Sequence, residues 1–169
     1  MRLLGSLTGW NESLRYDYDI GYGDVVLDIG SHKGVFSREF RSKGASVVEF
    51  DIHTQLAWLY DGELNIGGSG ERATYLQEGK NYPCVDVLRF LDTRVALCKI
   101  NIEGGEYDLM DYILESGLQK NVENFQIQFH KVGDFEGRYE RMAENLTKTH
   151  SISWRQPFVW ENWRLNYEI

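Results

Sequence analysis

Three short stretches of this chain carry residue types and spacings that can do chemistry. The first, Val25-Val26-Leu27-Asp28-Ile29-Gly30-Ser31-His32-Lys33-Gly34, is a β-branched apolar run that ends in an acid and two spaced glycines. Gly30 lets a second backbone approach closely, and Gly34 lets a helix start against the strand. Asp28 offers a carboxylate to loop amides or to a bound amino group. Ser31 and His32 line the same turn, His32 through its backbone. Open α/β sheets bind ligands at this point, outside the carboxyl ends of their strands. The turn lacks the third glycine of the G-x-G-x-x-G spacing that receives a pyrophosphate, which favours S-adenosyl-L-methionine over a nicotinamide dinucleotide. An ordinary tight strand-to-helix turn is the plainer reading of so short a motif.

Asp51 ends the next strand, about 20 residues after the glycines, the offset at which an acid meets ribose hydroxyls. Glu49 competes for that role and alternation puts it on the same face, but the terminal residue reaches further. The second stretch is Lys99-Ile100-Asn101-Ile102-Glu103-Gly104-Gly105-Glu106, where four polar side chains crowd the end of a buried strand. Packing alone seldom places so many polar groups there. The third is Gln126-Ile127-Gln128-Phe129-His130.

Alternating strand-like and helix-like segments supply the frame for these residues, the pattern of an α/β fold with a mainly parallel sheet. Asp24 to Ile29 and Ser46 to Asp51 read as strands. Between them, Val35, Phe36 and Phe40 share a helical face that Gly44 ends. Turns at Asp61-Gly62 and Gly67-Gly68-Ser69-Gly70 surround a strand expected at Glu63 to Ile66. Asp86 can cap a short helix through Leu91. Val95 to Ile102 and Asn124 to His130 are further strands. Leu109, Met110, Ile113 and Leu114 mark one helix ending before Gly117, and Tyr139, Met142, Ala143 and Leu146 mark another by their i, i+3, i+4, i+7 spacing. Ser151 to Trp154 and Phe158 to Leu165, around Pro157, form an antiparallel pair at a sheet edge.

At 169 residues, residues 1–169 are expected to form one domain that buries roughly 68–70% of its unfolded surface. Cys84 and Cys98 sit in apolar stretches without metal-ligand spacing and read as buried thiols in a reducing compartment. Neither a signal peptide nor a membrane-spanning run is expected, so the chain is assigned to the cytoplasm with no membrane partner. A net charge of −8 disfavours a nucleic-acid partner, whose phosphates require clustered Lys and Arg. Aromatics gather near the C-terminus at Trp154, Phe158, Trp160 and Trp163, where they can stack on sugar rings or fill a core.

Taken together and in order, the V-L-D-I-G-x-x-x-G turn, the K-I-N-x-E-G-x-E segment and the Q-x-H strand end resemble the FkbM-type family of S-adenosylmethionine-dependent O-methyltransferases. The resemblance runs from about Asp24 to the C-terminus, including Pro157-Phe158-Val159-Trp160-Glu161-Asn162-Trp163. It implies a Rossmann-like class I methyltransferase fold and methyl transfer to a hydroxyl, typically of a sugar or glycan. The chain departs from the family at three places. Asn101 stands where the family has an acid, and Gln128 where many members have Glu. Between Asp51 and Ala57-Trp58 the chain is also too short for the usual helix and start of a third strand. The two amides remove carboxylates, so no metal is expected, and Asn101 is left to hydrogen-bond cofactor or substrate. The shortening removes the usual source of an adenine-binding acid, leaving the loop near Asp86 or a partner subunit to hold adenine.

In this setting His130 is the first choice for general base, because an imidazole ordinarily titrates near ~6.5. Glu103 is the second choice, or it orients the acceptor hydroxyl. Lys99 could stabilise developing negative charge, or pair with Glu103 or Glu106 in a purely structural contact. Cofactor contacts fall to Asp28, Gly30, Ser31, His32, Gly34, Asp51 and Asn101. His53 and His150 read as surface residues, and Glu161 and Asn162 as minor candidates for an acceptor platform. The rival reading is a methyltransferase-like domain that has lost activity and serves as an interaction module. A glycosyltransferase partner and a homo-oligomer both remain open.

Overall fold

The computed structural model describes residues 11–51, 57–59, 74–77 and 80–167, with side chains for 11–51 and 85–167. The strand expected at Glu63 to Ile66, its glycine turns, His53 and the side chain of Cys84 lie outside the described residues. In chain order the strands are β1 (Val25–Ile29), β2 (Ser46–Phe50), β3 (Ala57–Leu59), β4 (Thr74–Gln77), β5 (Lys80–Asp86), β6 (Leu97–Ile100), β7 (Asn124–Ile127), β8 (His150–Gln156) and β9 (Trp160–Leu165). The helices are α1 (Val35–Ser42), α2 (Glu106–Ser116) and α3 (Phe135–Leu146).

Six strands form one sheet in the order β2-β1-β6-β7-β9-β8. The first four run parallel, while β9 is antiparallel to both β7 and β8. This is a Rossmann-like α/β fold with a mainly parallel sheet and an antiparallel C-terminal edge. β3, β5 and β4 make a separate three-stranded sheet. Among the described residues nothing extends the main sheet beyond β2.

Val26, Leu27 and Ile29 on β1 are fully buried, as expected of a parallel strand covered on both faces. On one face α1 packs Phe36 and Phe40 against Ile20, Val26 and Leu97. It starts at Gly34 (φ 66°) and its trailing turn closes at Gly44 (φ 92°), two left-handed positions that suit glycine. On the other face α2 and α3 place Leu109, Met110, Ile113, Tyr139, Met142, Ala143 and Leu146 on Leu27, Ile29, Cys98, Ile100, Phe125, Ile127 and Trp163. Glu106 and Asp108 occupy the first turn of α2, where carboxylates meet the positive end of the helix dipole. Gly117, at φ 76°, ends that helix. Cys98 is a buried free thiol. No helix among the described residues is long and apolar enough to cross a membrane.

Some boundaries differ from the sequence reading. The strand expected over Val95 to Ile102 is regular only from Leu97 to Ile100. Beyond it the chain turns through Glu103 (φ 54°) and Gly104 (φ 107°). β7 stops at Ile127, short of His130. His150, expected at the surface, is fully buried. Its Nε2 donates to Val122 O at 2.9 Å, Nδ1 lies 2.8 Å from Thr149 Oγ1, and burial holds its pKa below the usual imidazole range. Trp160 and Trp163 are core residues.

Glu161 and Asn162 are likewise buried, which removes them from any exposed acceptor platform. The Tyr139 hydroxyl donates to Glu161 Oε2 at 2.9 Å and the Trp163 indole N–H donates to Oε1 at 2.8 Å. Burial pushes the Glu161 carboxyl up to about 7, against the pull of those hydrogen bonds and of Arg155. The folded state therefore holds this proton more tightly than the unfolded chain. The associated stability is complete below about pH 4.5 and is lost as pH rises through about 7. Between those values the thermal midpoint of the native protein should fall relative to that of Glu161→Gln. A constant difference across the window would show that the carboxyl titrates normally.

Candidate active site

The strand register assembles a polar row across one face of the sheet. Asp28 on β1 is paired laterally with Glu49 on β2 and with Lys99 on β6, and Lys99 with Gln126 on β7. Gln126 in turn is paired with Asn162 on β9. Asp28, Lys99, Gln126 and Asn162 are all buried, so each must find partners inside the protein. Ser37 on α1 donates to Asp28 Oδ2 at 2.6 Å, and Lys99 Nζ donates to Gly30 O at 2.6 Å. Nζ also lies 2.9 Å from Asp28 Oδ1, an ion-pair contact without hydrogen-bond alignment. Desolvation lowers the pKa of Lys99, and its neighbour Asp28 works in the opposite direction. Gln126 ties down the N-terminal segment, donating to Arg15 O and accepting from Arg15 Nε. The Arg15 guanidinium lies 4.0 Å from the centre of the Trp160 ring, a cation–π distance.

The turn after β1 is held rigidly by this row and by β2. Gly30 N and Ser31 N donate to Phe50 O, His32 N to Asp51 Oδ2 at 2.8 Å, and Gly34 N to Ser31 O. With these four amides engaged, the turn offers none of them to an anion, unlike a phosphate-binding loop. A Cβ on Gly30 would sit 1.8 Å from Asn101 O, so the ends of β1 and β6 touch through backbone there. A Cβ on Gly34 would lie 2.8 Å from Glu49 Oε1, the end of a movable side chain.

The chain leaves β1 toward β2 on one side, while β6 lies on the other. The crevice outside their carboxyl ends is thus the topological switch point of the sheet. Two buried polar atoms lie at the ends of these strands without a hydrogen-bond partner among the described residues, Ser31 Oγ and Asn101 Oδ1. An unsatisfied buried group costs about 1–3 kcal/mol, and such groups in native structures mark places where something else completes them. Two non-glycine residues with left-handed φ, His32 at 48° and Glu103 at 54°, occupy the loops on either side. Such strain clusters at ligand clamps.

Beyond β7, His130 is held by Glu106. The carboxylate oxygen Oε1 accepts from His130 N at 2.5 Å and lies 2.8 Å from His130 Nδ1, while Oε2 accepts from Gly104 N at 2.8 Å. Tyr107 donates its hydroxyl to His130 O. The other ring nitrogen, Nε2, lies 3.4 Å from Glu103 Oε2, on a side chain 84% exposed. Glu106 is fully buried whereas the His130 side chain is 22% exposed, so the imidazole spans the interior and the outer surface. Among the described residues no cluster of three His, Cys, Asp or Glu is placed to hold a metal ion.

The structure thus divides the candidate residues into two groups. Gly30, Ser31, His32, Gly34, Asp51 and Asn101 share the switch-point turns, whereas His130 and Glu103 meet beside the start of α2. Asp28 and Lys99 lie beneath the first group as a buried pair, and Lys99 contacts neither Glu103 nor Glu106. Asp86 is engaged elsewhere, capping the 3-10 turn Val87–Phe90 through Leu88 N and accepting from the Tyr112 hydroxyl. The sequence reading offered Glu106 as an ion-pair partner of Lys99 or as a direct part of the chemistry, and left Arg15 and Gln126 unassigned. On β7 Gln126 alternates with Phe125 and Ile127, and its partner Arg15 is 111 positions away.

No protein-family model matches the chain, and no curated protein does. Solved structures that match include Sp1610 of Streptococcus pneumoniae, a candidate tRNA (m1A22) methyltransferase in complex with S-adenosyl-L-methionine. It shares 16% identity at a TM-score of 0.45, over 93% of this chain and 73% of that one.

Proposed function

We propose that this chain is an S-adenosylmethionine-dependent O-methyltransferase whose acceptor is a hydroxyl of a sugar or glycan. The observation that carries the cofactor reading is a pair of buried atoms at the switch point, Ser31 Oγ and Asn101 Oδ1, that have no hydrogen-bond partner among the described residues. Asn101 Oδ1 asks for a donor, and Ser31 Oγ can donate or accept. An ammonium group and ribose hydroxyls supply such partners, whereas a pyrophosphate would need the turn amides that are already engaged. The acceptor class rests on the resemblance to FkbM-type enzymes.

S-Adenosylmethionine supplies an electrophilic methyl group on a sulfonium. The protein's part is to hold the acceptor oxygen in line with that methyl group and to take the hydroxyl proton as the new C–O bond forms. Alignment can be worth roughly 7–11 kcal/mol, so the rigid turn and the fixed ends of β1 and β6 do most of the work. His130 Nε2 is the proton acceptor, and Glu103 Oε2, 3.4 Å from it, stands where an acceptor oxygen would come. Asp51 and the backbone of His32 shape the ribose side.

Leucine at position 101 is close to asparagine in shape and has no polar atom to leave unpartnered. Asn101→Leu should therefore melt no lower than the native chain, while the upward shift that excess S-adenosylhomocysteine gives the native protein should shrink markedly. An equal shift in both proteins would remove Asn101 from the cofactor site. If neither protein shifts, the cofactor reading fails and the interaction module gains.

A further inference from the structure

Glu106 has no part in the reading so far, yet it is fully buried and contacts the proposed base. We propose that Glu106 is a positioning residue that fixes the proton of neutral His130 on Nδ1, leaving Nε2 as the basic atom that faces the acceptor. The inference rests on the reading of His130 as general base and assigns the chemistry of that site to one atom.

The reasoning turns on what each oxygen can do. An ionised carboxylate only accepts hydrogen bonds, and Glu106 accepts from two backbone amides, Gly104 N and His130 N, and lies against the ring nitrogen Nδ1 of His130, all within 2.8 Å. With the proton on Nε2 instead, the bare lone pair of Nδ1 would face Oε1, acceptor against acceptor. Glu106 is the first residue of α2 and so stands at the positive end of that helix. The imidazole cannot turn its other edge to the carboxylate without losing the bond at Nδ1, and Glu106 also pins the backbone of His130. The remaining charged or titratable groups around the ring are Glu103 at Nε2, Tyr107 through the His130 carbonyl, and Lys131 next in the chain. Lys131 places its ammonium 4.9 Å from the centre of the Phe158 ring. None of the three is in contact with Nδ1. In hydrolytic triads a carboxylate on the far ring nitrogen has the same function, setting tautomer and orientation without itself taking the proton.

The test is the tautomer itself, read from ring nitrogen shifts of the nitrogen-15 labelled full chain at a pH where imidazole is neutral, with His130→Ala identifying the signal. In the native protein Nδ1–H should exceed Nε2–H by about tenfold or more, since the bond to Nδ1 is charge-assisted. Glu106→Gln can turn its amide toward Nδ1 and donate, so the ratio should fall by about tenfold. Glu103→Gln, which alters only the Nε2 side, should leave the excess of Nδ1–H in place. A predominance of Nε2–H in the native chain overturns the proposal, even if Glu106→Gln does not fold. An unchanged ratio in a folded Glu106→Gln does so as well. Adding S-adenosylhomocysteine to the same samples separates the two ideas: Nδ1–H without any ligand response would sink the methyltransferase reading and leave the positioning role standing.

Discussion

His130→Ala is expected to reduce methyl transfer by about 10²–10⁴-fold, the range that a general base contributes, while leaving affinity for S-adenosylhomocysteine within about threefold of native. The side chain is partly exposed, and its ring nitrogens contact Glu106 and Glu103 rather than Ser31 or Asn101. Removing it should therefore affect the proton and spare the cofactor crevice. Asp51→Ala should do the reverse. It releases His32 N and opens the ribose side, so affinity should fall more than the maximal rate. Both effects can be read with labelled S-adenosylmethionine against a panel of deoxysugar glycans, together with ligand binding to each variant. A His130→Ala enzyme that turns over within about threefold of native would take the base role from this residue. Two variants that lose only binding would overturn both assignments.

The second large effect concerns stability. Lys99→Met should destabilise the fold by about 3–5 kcal/mol, the cost of leaving one member of a buried ion pair without its partner. The pair is almost completely dry, at 5% and 0% side-chain exposure, so water cannot compensate Asp28. In a chain of this size the loss should lower the thermal midpoint by roughly 10 °C. Asp28→Asn combined with Lys99→Met should recover much of the loss, because a neutral pair leaves no buried charge. Recovery in the double variant identifies the ion pair as the cause. A Lys99→Met protein as stable as native, but inactive, would return Lys99 to the catalytic group.

The same pair shows how far the sequence could be read. The glycine turn, the strand before it and the helix after it follow from local pattern. So does the antiparallel pair at the C-terminal edge, because hydrophobic period and glycine placement are local properties. Lys99 was expected to stabilise developing negative charge or to pair with Glu103 or Glu106, its neighbours in sequence. Its partner proved to be Asp28, because the parallel register of β1 and β6 places the two side by side, and lateral register is not written in either strand alone. Glu106 shows the same limit from the other side. Its spacing from His130 means nothing until α2 begins beside the end of β7. His150 begins the edge strand β8, where sequence gives no sign that Val122 will cover it. The buried partners of the site come from distant segments, whereas its frame is local.

The measurement that bears most directly on the account is calorimetric titration of the full chain with S-adenosylhomocysteine. The account predicts one site per chain with a dissociation constant of about micromolar order, and weaker binding in Asn101→Leu. No heat up to about millimolar ligand, from protein shown by its melting transition to be folded, would contradict it and leave a Rossmann-like domain that serves as an interaction module.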